Sequence, residues 1–227
     1  MSVARYISPE ERQALLVELR DPRDRLFFQI GVNTGLRISS ILSLRWRQLV
    51  QNGEPVAILE VPRRFLKNGR GVHRKKITSR RIPLNAAAAA AVKEWAFARF
   101  GSGLVDPEAP VFTSRKRYPG TLGRKQAYTL LRAAAARAGL KEGIAPHGLR
   151  RAFAGDVYSA TGKDLIATQN LLGHASPLTT ALYLKPREED LFNVVRNLSA
   201  ASPGDVKPRI SGECSPNFEM PLATMNS

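Results

Sequence analysis

Up to Leu198 helical periodicity dominates this chain and gives way to a strand pattern only once, which constrains the fold more than any other feature. Val56-Ala57-Ile58-Leu59-Glu60-Val61 is short and rich in β-formers, and residues 77–84 can pair back with it. Asn68-Gly69-Arg70-Gly71 between them has turn composition. One long hairpin in an otherwise helical chain predicts an α+β fold, mainly α, with a small antiparallel β-sheet.

Local signals place the helices. Ser8-Pro9-Glu10-Glu11 has the pattern of an N-cap, a first-turn proline and a capping-box glutamate. Leu15, Leu16 and Leu19 continue that helix on one face, and the apolar run from Leu26 to Val32 predicts a buried helix ending near Gly35. Residues 38–44 keep helical spacing. After the hairpin, Asn85 is placed to cap the alanine-rich stretch 86–100, and 101–110 reads as a loop. Helices are expected over 122–138, from Pro146 to Tyr158, and over 165–172, 178–184 and 191–198. Beyond Leu198 the apolar residues are sparse and unperiodic, and four prolines follow (203, 208, 216 and 221). The expected organisation is therefore a domain over 1–198 and a flexible tail over 199–227.

Charge narrows the partner. Of 227 residues, 35 are Lys or Arg against 19 Asp or Glu, a formal net charge of +16. The tail from residue 203 carries −1, so the remainder carries +17. A domain this basic points to nucleic acid. Between Arg63 and Arg81 the hairpin has nine basic residues and no acid (Arg63, Arg64, Lys67, Arg70, Arg74, Lys75, Lys76, Arg80 and Arg81). Such a ribbon suits contact with a phosphate backbone. One cysteine (Cys214) rules out an intramolecular disulfide framework, and with only three histidines beside it a closed Cys/His zinc site is almost excluded. No apolar run is long enough to span a membrane, and the N-terminus lacks a signal-peptide core.

Four short motifs carry the chemistry. Arg37 follows Thr34-Gly35-Leu36 at the point where one helix ends and the next begins, so its cation sits at a helix N-terminus, where an anion is favoured. His147 and Arg150 are three apart and share a helix face. His174 follows Leu172-Gly173, and Tyr183 lies nine residues later between Leu182 and Leu184. Singly each has an ordinary explanation: a surface arginine, an exposed His/Arg pair, a histidine tied to a carbonyl, a half-buried tyrosine. Together they supply two planar cations that grip phosphate oxygens, two imidazoles that move protons and one nucleophile.

Taken in order, TGLR, LKNGR with RRIPL, HGLRR and LLGH with TTALY resemble the catalytic domain of the tyrosine recombinases, the phage integrase family, over roughly residues 5–198. The resemblance implies that Arg37 and Arg150 are the catalytic arginines, His147 and His174 the histidine-type positions, and Tyr183 the nucleophile. It implies a catalytic lysine at a hairpin turn, for which Lys67 fits the Lys-Asn-Gly turn and Lys75 fits the distance to Pro83. The glutamate usual three residues after the first arginine is Ser40 here. Only about seven residues precede the first helix, so a catalytic domain without the family's N-terminal DNA-clamping domain is expected here, either as a piece of a longer chain or as a protein that works without its own clamp.

The implied function is site-specific cleavage and rejoining of double-stranded DNA through a 3′-phosphotyrosyl intermediate, without metal, ATP or other cofactor. A homotetramer on paired sites and a cytoplasmic, nucleoid-associated place in a bacterium, phage or mobile element are implied with it. Two alternatives share these residues: a type IB topoisomerase-like activity, and a DNA-binding remnant or regulator that no longer exchanges strands.

Overall fold

The computed structural model describes residues 5–66, 79–114, 120–140, 144–173 and 177–184, with 192, 195 and 196. The chain divides into two compact units, Met1–Lys185 and Pro186–Ser227. In the second unit the described residues 192, 195 and 196 are helical and exposed. The boundary expected at 198/199 lies outside the described residues.

Unit one is mainly helical. Its helices are α1 (Pro9–Glu18), α2 (Pro22–Thr34), α3 (Ile38–Leu42), α4 (Ala86–Phe100), α5 (Arg124–Arg137), α6 (Pro146–Ala160), α7 (Leu165–Leu172) and α8 (Pro177–Tyr183). The expected starts follow from side chains that satisfy otherwise orphaned amides. Ser8 Oγ accepts from the Glu11 amide at 3.3 Å while Glu11 Oε2 accepts from the Ser8 amide at 3.0 Å. Asn85 Oδ1 accepts from the Ala88 amide at 2.9 Å. α2 stops at Gly35, whose φ of +56° is a left-handed conformation in which a side chain is strained.

Two small antiparallel sheets replace the single one expected. Strands β3 (Ile58–Val61) and β4 (Arg80–Pro83) pair with Leu59 opposite Ile82 and Val61 opposite Arg80. These are the two flanks of the expected hairpin, trimmed at both ends; its central residues 67–78 lie outside those described. The second sheet, β1 (Val50–Gln51) with β2 (Glu54–Pro55), was not foreseen. Its turn, Asn52-Gly53, has positive φ at both positions (+53° and +79°), an arrangement that asparagine and glycine favour.

The core is built around α2, which packs against α4 and α6. Leu26, Phe27, Phe28 and Ile30 are fully buried, and Phe27 meets Phe112 edge-on at 5.8 Å between ring centres. α2 and α6 approach closely because Gly31 has no side chain. A Cβ there would lie 2.5 Å from Leu149 Cδ1. This contact fixes the depth at which α6, carrying His147 and Arg150, lies against the helix leading to Arg37.

Candidate active site

Three helix ends converge. α2 ends at Gly35, two residues before Arg37, and Arg37 is the N-cap of α3. α6 begins at Pro146, which puts His147 and Arg150 in its first turns. α7 ends at Gly173, again left-handed with φ +61°. The last carbonyls of α2 and α7 therefore point toward one locus with no intrahelical donors to satisfy them.

Arg150 fills that locus. It is only 1% exposed, and its guanidinium donates to the Gly35 carbonyl and, at 2.7 Å, to the Leu172 carbonyl. Two helix C-termini carry partial negative charge, which offsets part of the cost of burying the cation. The offset is incomplete. Burial, helped by the nearby charges of Arg37 and Arg80, pushes the Arg150 pKa down to about 9. Arg80, on β4, makes a parallel pair of bonds, donating to the Thr34 carbonyl at 3.0 Å and to the Leu171 carbonyl. Burial and then the charge of Arg37 push its pKa down to about 10. Both arginines remain protonated at neutral pH. With Arg37 they concentrate positive charge at one locus, a setting that favours an anion.

Tyr183, the last residue of α8, points into this site. Its hydroxyl lies 2.7 Å from His147 Nε2, and the two rings are 5.0 Å apart. The Arg150 guanidinium carbon is 5.9 Å from the Tyr183 ring centre. Burial, then the charges of Arg150, Arg151 and Arg37, lower the His147 pKa. This favours the neutral imidazole, which in the tautomer with its lone pair at Nε2 accepts the tyrosine O–H.

Arg37, His147 and Arg150 line a cavity of about 610 Å³ together with Arg64 and Arg124. No acid is among the described residues lining it. Arg64 holds its guanidinium 4.9 Å from the Phe65 ring centre. Ser40, where the family usually has glutamate, is 1% exposed and donates to the Phe65 carbonyl at 2.8 Å. This ties α3 to the segment that leads into the basic hairpin.

The structure thus brings together Arg37, His147, Arg150 and Tyr183. Lys67, His174, Arg70, Arg74, Lys75 and Lys76 lie outside the described residues. Arg63 and Arg64 are exposed on the short helical turn Arg63–Phe65, and Arg81 is exposed on β4 opposite Glu60. Arg80 is turned toward the two helix ends. Arg124 was missed from sequence. It stands first in α5, after Gly123, so the argument that selected Arg37, a cation at a helix N-terminus, applies to it equally.

A mainly helical domain brings Arg37, His147, Arg150 and Tyr183 together, the set that the resemblance to the tyrosine recombinases implies. The chain belongs to the phage integrase family, whose model matches residues 5–190. A tyrosine recombinase XerC of Xylella fastidiosa (strain M23) is 32% identical over 161 residues, 71% of this chain and 48% of its own length. A tyrosine recombinase XerD of Rhizobium meliloti (strain 1021) is 36% identical over 168 residues, 72% and 47% of the two chains. This chain spans about half the length of the relatives it matches. The crystal structure of the XerA recombinase superposes with a TM-score of 0.65 at 22% identity, covering 86% of this chain and 64% of that one. The XerH site-specific recombinase bound to its palindromic difH substrate, a post-cleavage complex, gives 0.62 at 24% identity, covering 86% and 52%. The fold is that of these recombinases.

Proposed function

We propose that this chain carries the catalytic domain of a site-specific DNA recombinase or integrase, and that Tyr183 is its nucleophile. The observation that carries the proposal is the 2.7 Å contact between the Tyr183 hydroxyl and His147 Nε2 beside the buried Arg150. The relatives named tyrosine recombinases and the DNA-bound XerH structure support it.

In the proposed reaction Tyr183 Oη attacks a backbone phosphorus in line. An Oη–P bond forms, the P–O5′ bond breaks, and the phenolic proton passes to His147 Nε2. Lys67 supplies a proton to the leaving 5′-oxygen, with Lys75 as its rival. Arg37 and Arg150 stabilise the charge that grows on the non-bridging oxygens, and His174 hydrogen-bonds one of them. Because those cations are already in place and unneutralised, they need no reorganisation when the charge develops. The 3′-phosphotyrosyl bond retains the energy of the original diester. A 5′-hydroxyl of another strand then attacks the phosphorus: P–O5′ re-forms, the Oη–P bond breaks, the hydroxyl proton passes back to the lysine and His147 returns its proton to Tyr183 Oη, so neither ATP nor a metal is required. The substrate is double-stranded DNA. Paired sites held by a homotetramer, in the cytoplasm on the nucleoid, complete the proposal.

A nicked suicide substrate tests it, since the cut fragment diffuses away and traps the covalent complex. Wild-type protein should accumulate a protein–DNA adduct. Tyr183→Phe should give none while binding the same DNA with nearly unchanged affinity. An adduct that survives the substitution would overturn the assignment of the nucleophile.

A further inference from the structure

Arg80 belongs to the acid-free basic run, yet its geometry differs from that of a surface phosphate contact. One nitrogen, Nη2, donates to both the Thr34 and the Leu171 carbonyls. Arg150 spans the neighbouring pair, Gly35 and Leu172. Two guanidiniums from different elements, β4 and α6, therefore bridge the same two helix ends at consecutive carbonyls. Gly173, the C-cap of α7, borders the Arg80 side chain at ordinary contact distance. A Cβ on Gly173 would lie 3.6 Å from Arg80 Cδ and 3.7 Å from its Nε.

We infer that Arg80 is a positioning residue of the active site, a clamp that locks the C-terminus of α2 to the C-terminus of α7. Arg37 follows the first of these ends by two residues, and residue 174 directly follows Gly173 at the second. Releasing the clamp leaves two helix-end carbonyls without their donor and lets the ends move relative to each other. A displacement of about 1 Å at reacting groups lowers rates by as much as ~10²-fold. The effect on cleavage rests on the recombinase reading above, whereas the clamp itself does not.

Two variants separate this role from a DNA contact. Arg80→Lys keeps the charge but loses the planar fork, and Arg80→Gln loses the charge. Hydrogen–deuterium exchange on the free protein should show faster exchange at 34–36 and 171–173 in both variants, with the core of α2 and α4 unchanged. At saturating DNA, adduct formation should fall by about 10²-fold in both. The dissociation constant of Arg80→Lys, and the slope of its logarithm against log salt, should match wild type. Unchanged exchange at both helix ends would overturn the clamp whatever the activity. Normal adduct formation at saturation, with a salt slope reduced by about 0.9 in Arg80→Gln, would overturn it in favour of a phosphate contact. Exchange that rises as expected, in a protein whose wild type forms no adduct, would keep the clamp and reject the recombinase reading.

Discussion

The surroundings of His147 suit it to the role of base proposed for it. Burial and three neighbouring arginines disfavour its charged form, so its pKa in the folded protein lies below the ordinary value of about 6.5. The sign of the linkage follows. The folded state binds this proton less readily than the unfolded chain, so the stability His147 contributes is fully present above about pH 6.5 and is lost as pH falls through the folded pKa. An NMR titration of the free protein should place the His147 midpoint below 6.5. A midpoint above 6.5 would contradict the lowering by burial and the neighbouring arginines, and one well above 7 would leave the imidazole cationic at neutrality and unable to take the tyrosine proton. If it is the base, His147→Asn should slow cleavage by about 10²-fold or more at saturating DNA. The lysine is decided by the leaving group. Lys67→Ala should cleave slowly but recover on a substrate with a 5′-bridging sulfur, which departs without a proton. Recovery in Lys75→Ala instead would transfer the role to Lys75.

At the scale of elements, the site depends on two glycine-made details. Gly35 holds a left-handed conformation, and a Cβ there would lie 2.3 Å from Phe153 Cδ1. Gly35→Ala therefore combines a conformational cost of about 1–2 kcal/mol with a clash against α6. It should lower the melting temperature and reduce cleavage together. Leu149→Ala should cost about 2–5 kcal/mol, because Leu149 is 1% exposed and packs against Gly31. A variant as stable as wild type would show that the α2–α6 contact is not close-packed. Element boundaries were legible in the sequence where a side chain or glycine sets them, as at Ser8, Gly35, Asn85 and Gly173. The β1–β2 hairpin was not, because two-residue strands are too short to show alternation, although Asn52-Gly53 carried the turn signal. The four residues that the structure brings together, Arg37, His147, Arg150 and Tyr183, stand out in the sequence, but the burial of Arg150 and the inward turn of Arg80 do not. An arginine is ordinarily exposed, and nothing local to residues 80 or 150 shows that the ends of α2 and α7 meet around them.

For the whole molecule, the governing quantity is charge. The chain carries +16, and the described lining of its central cavity is basic without an acid. Affinity for duplex DNA should fall steeply with salt, by about 0.9 log units per phosphate contact for each decade of salt. A nearly salt-independent affinity would remove the basic surface from the account. The fold keeps Arg37, Arg80 and Arg150 close together and uses helix-end carbonyls to hold two of them. In the proposed complex a backbone phosphate supplies the counter-charge.

The most direct measurement is the chemical identity of the covalent link. Protein trapped on a suicide substrate, digested with protease and nuclease, should yield one modified peptide by mass spectrometry, with a nucleotide joined through its 3′-phosphate to Tyr183. The released strand should carry a free 5′-hydroxyl. A link at any other residue, or a 5′-phosphoryl attachment to the protein, would contradict the account.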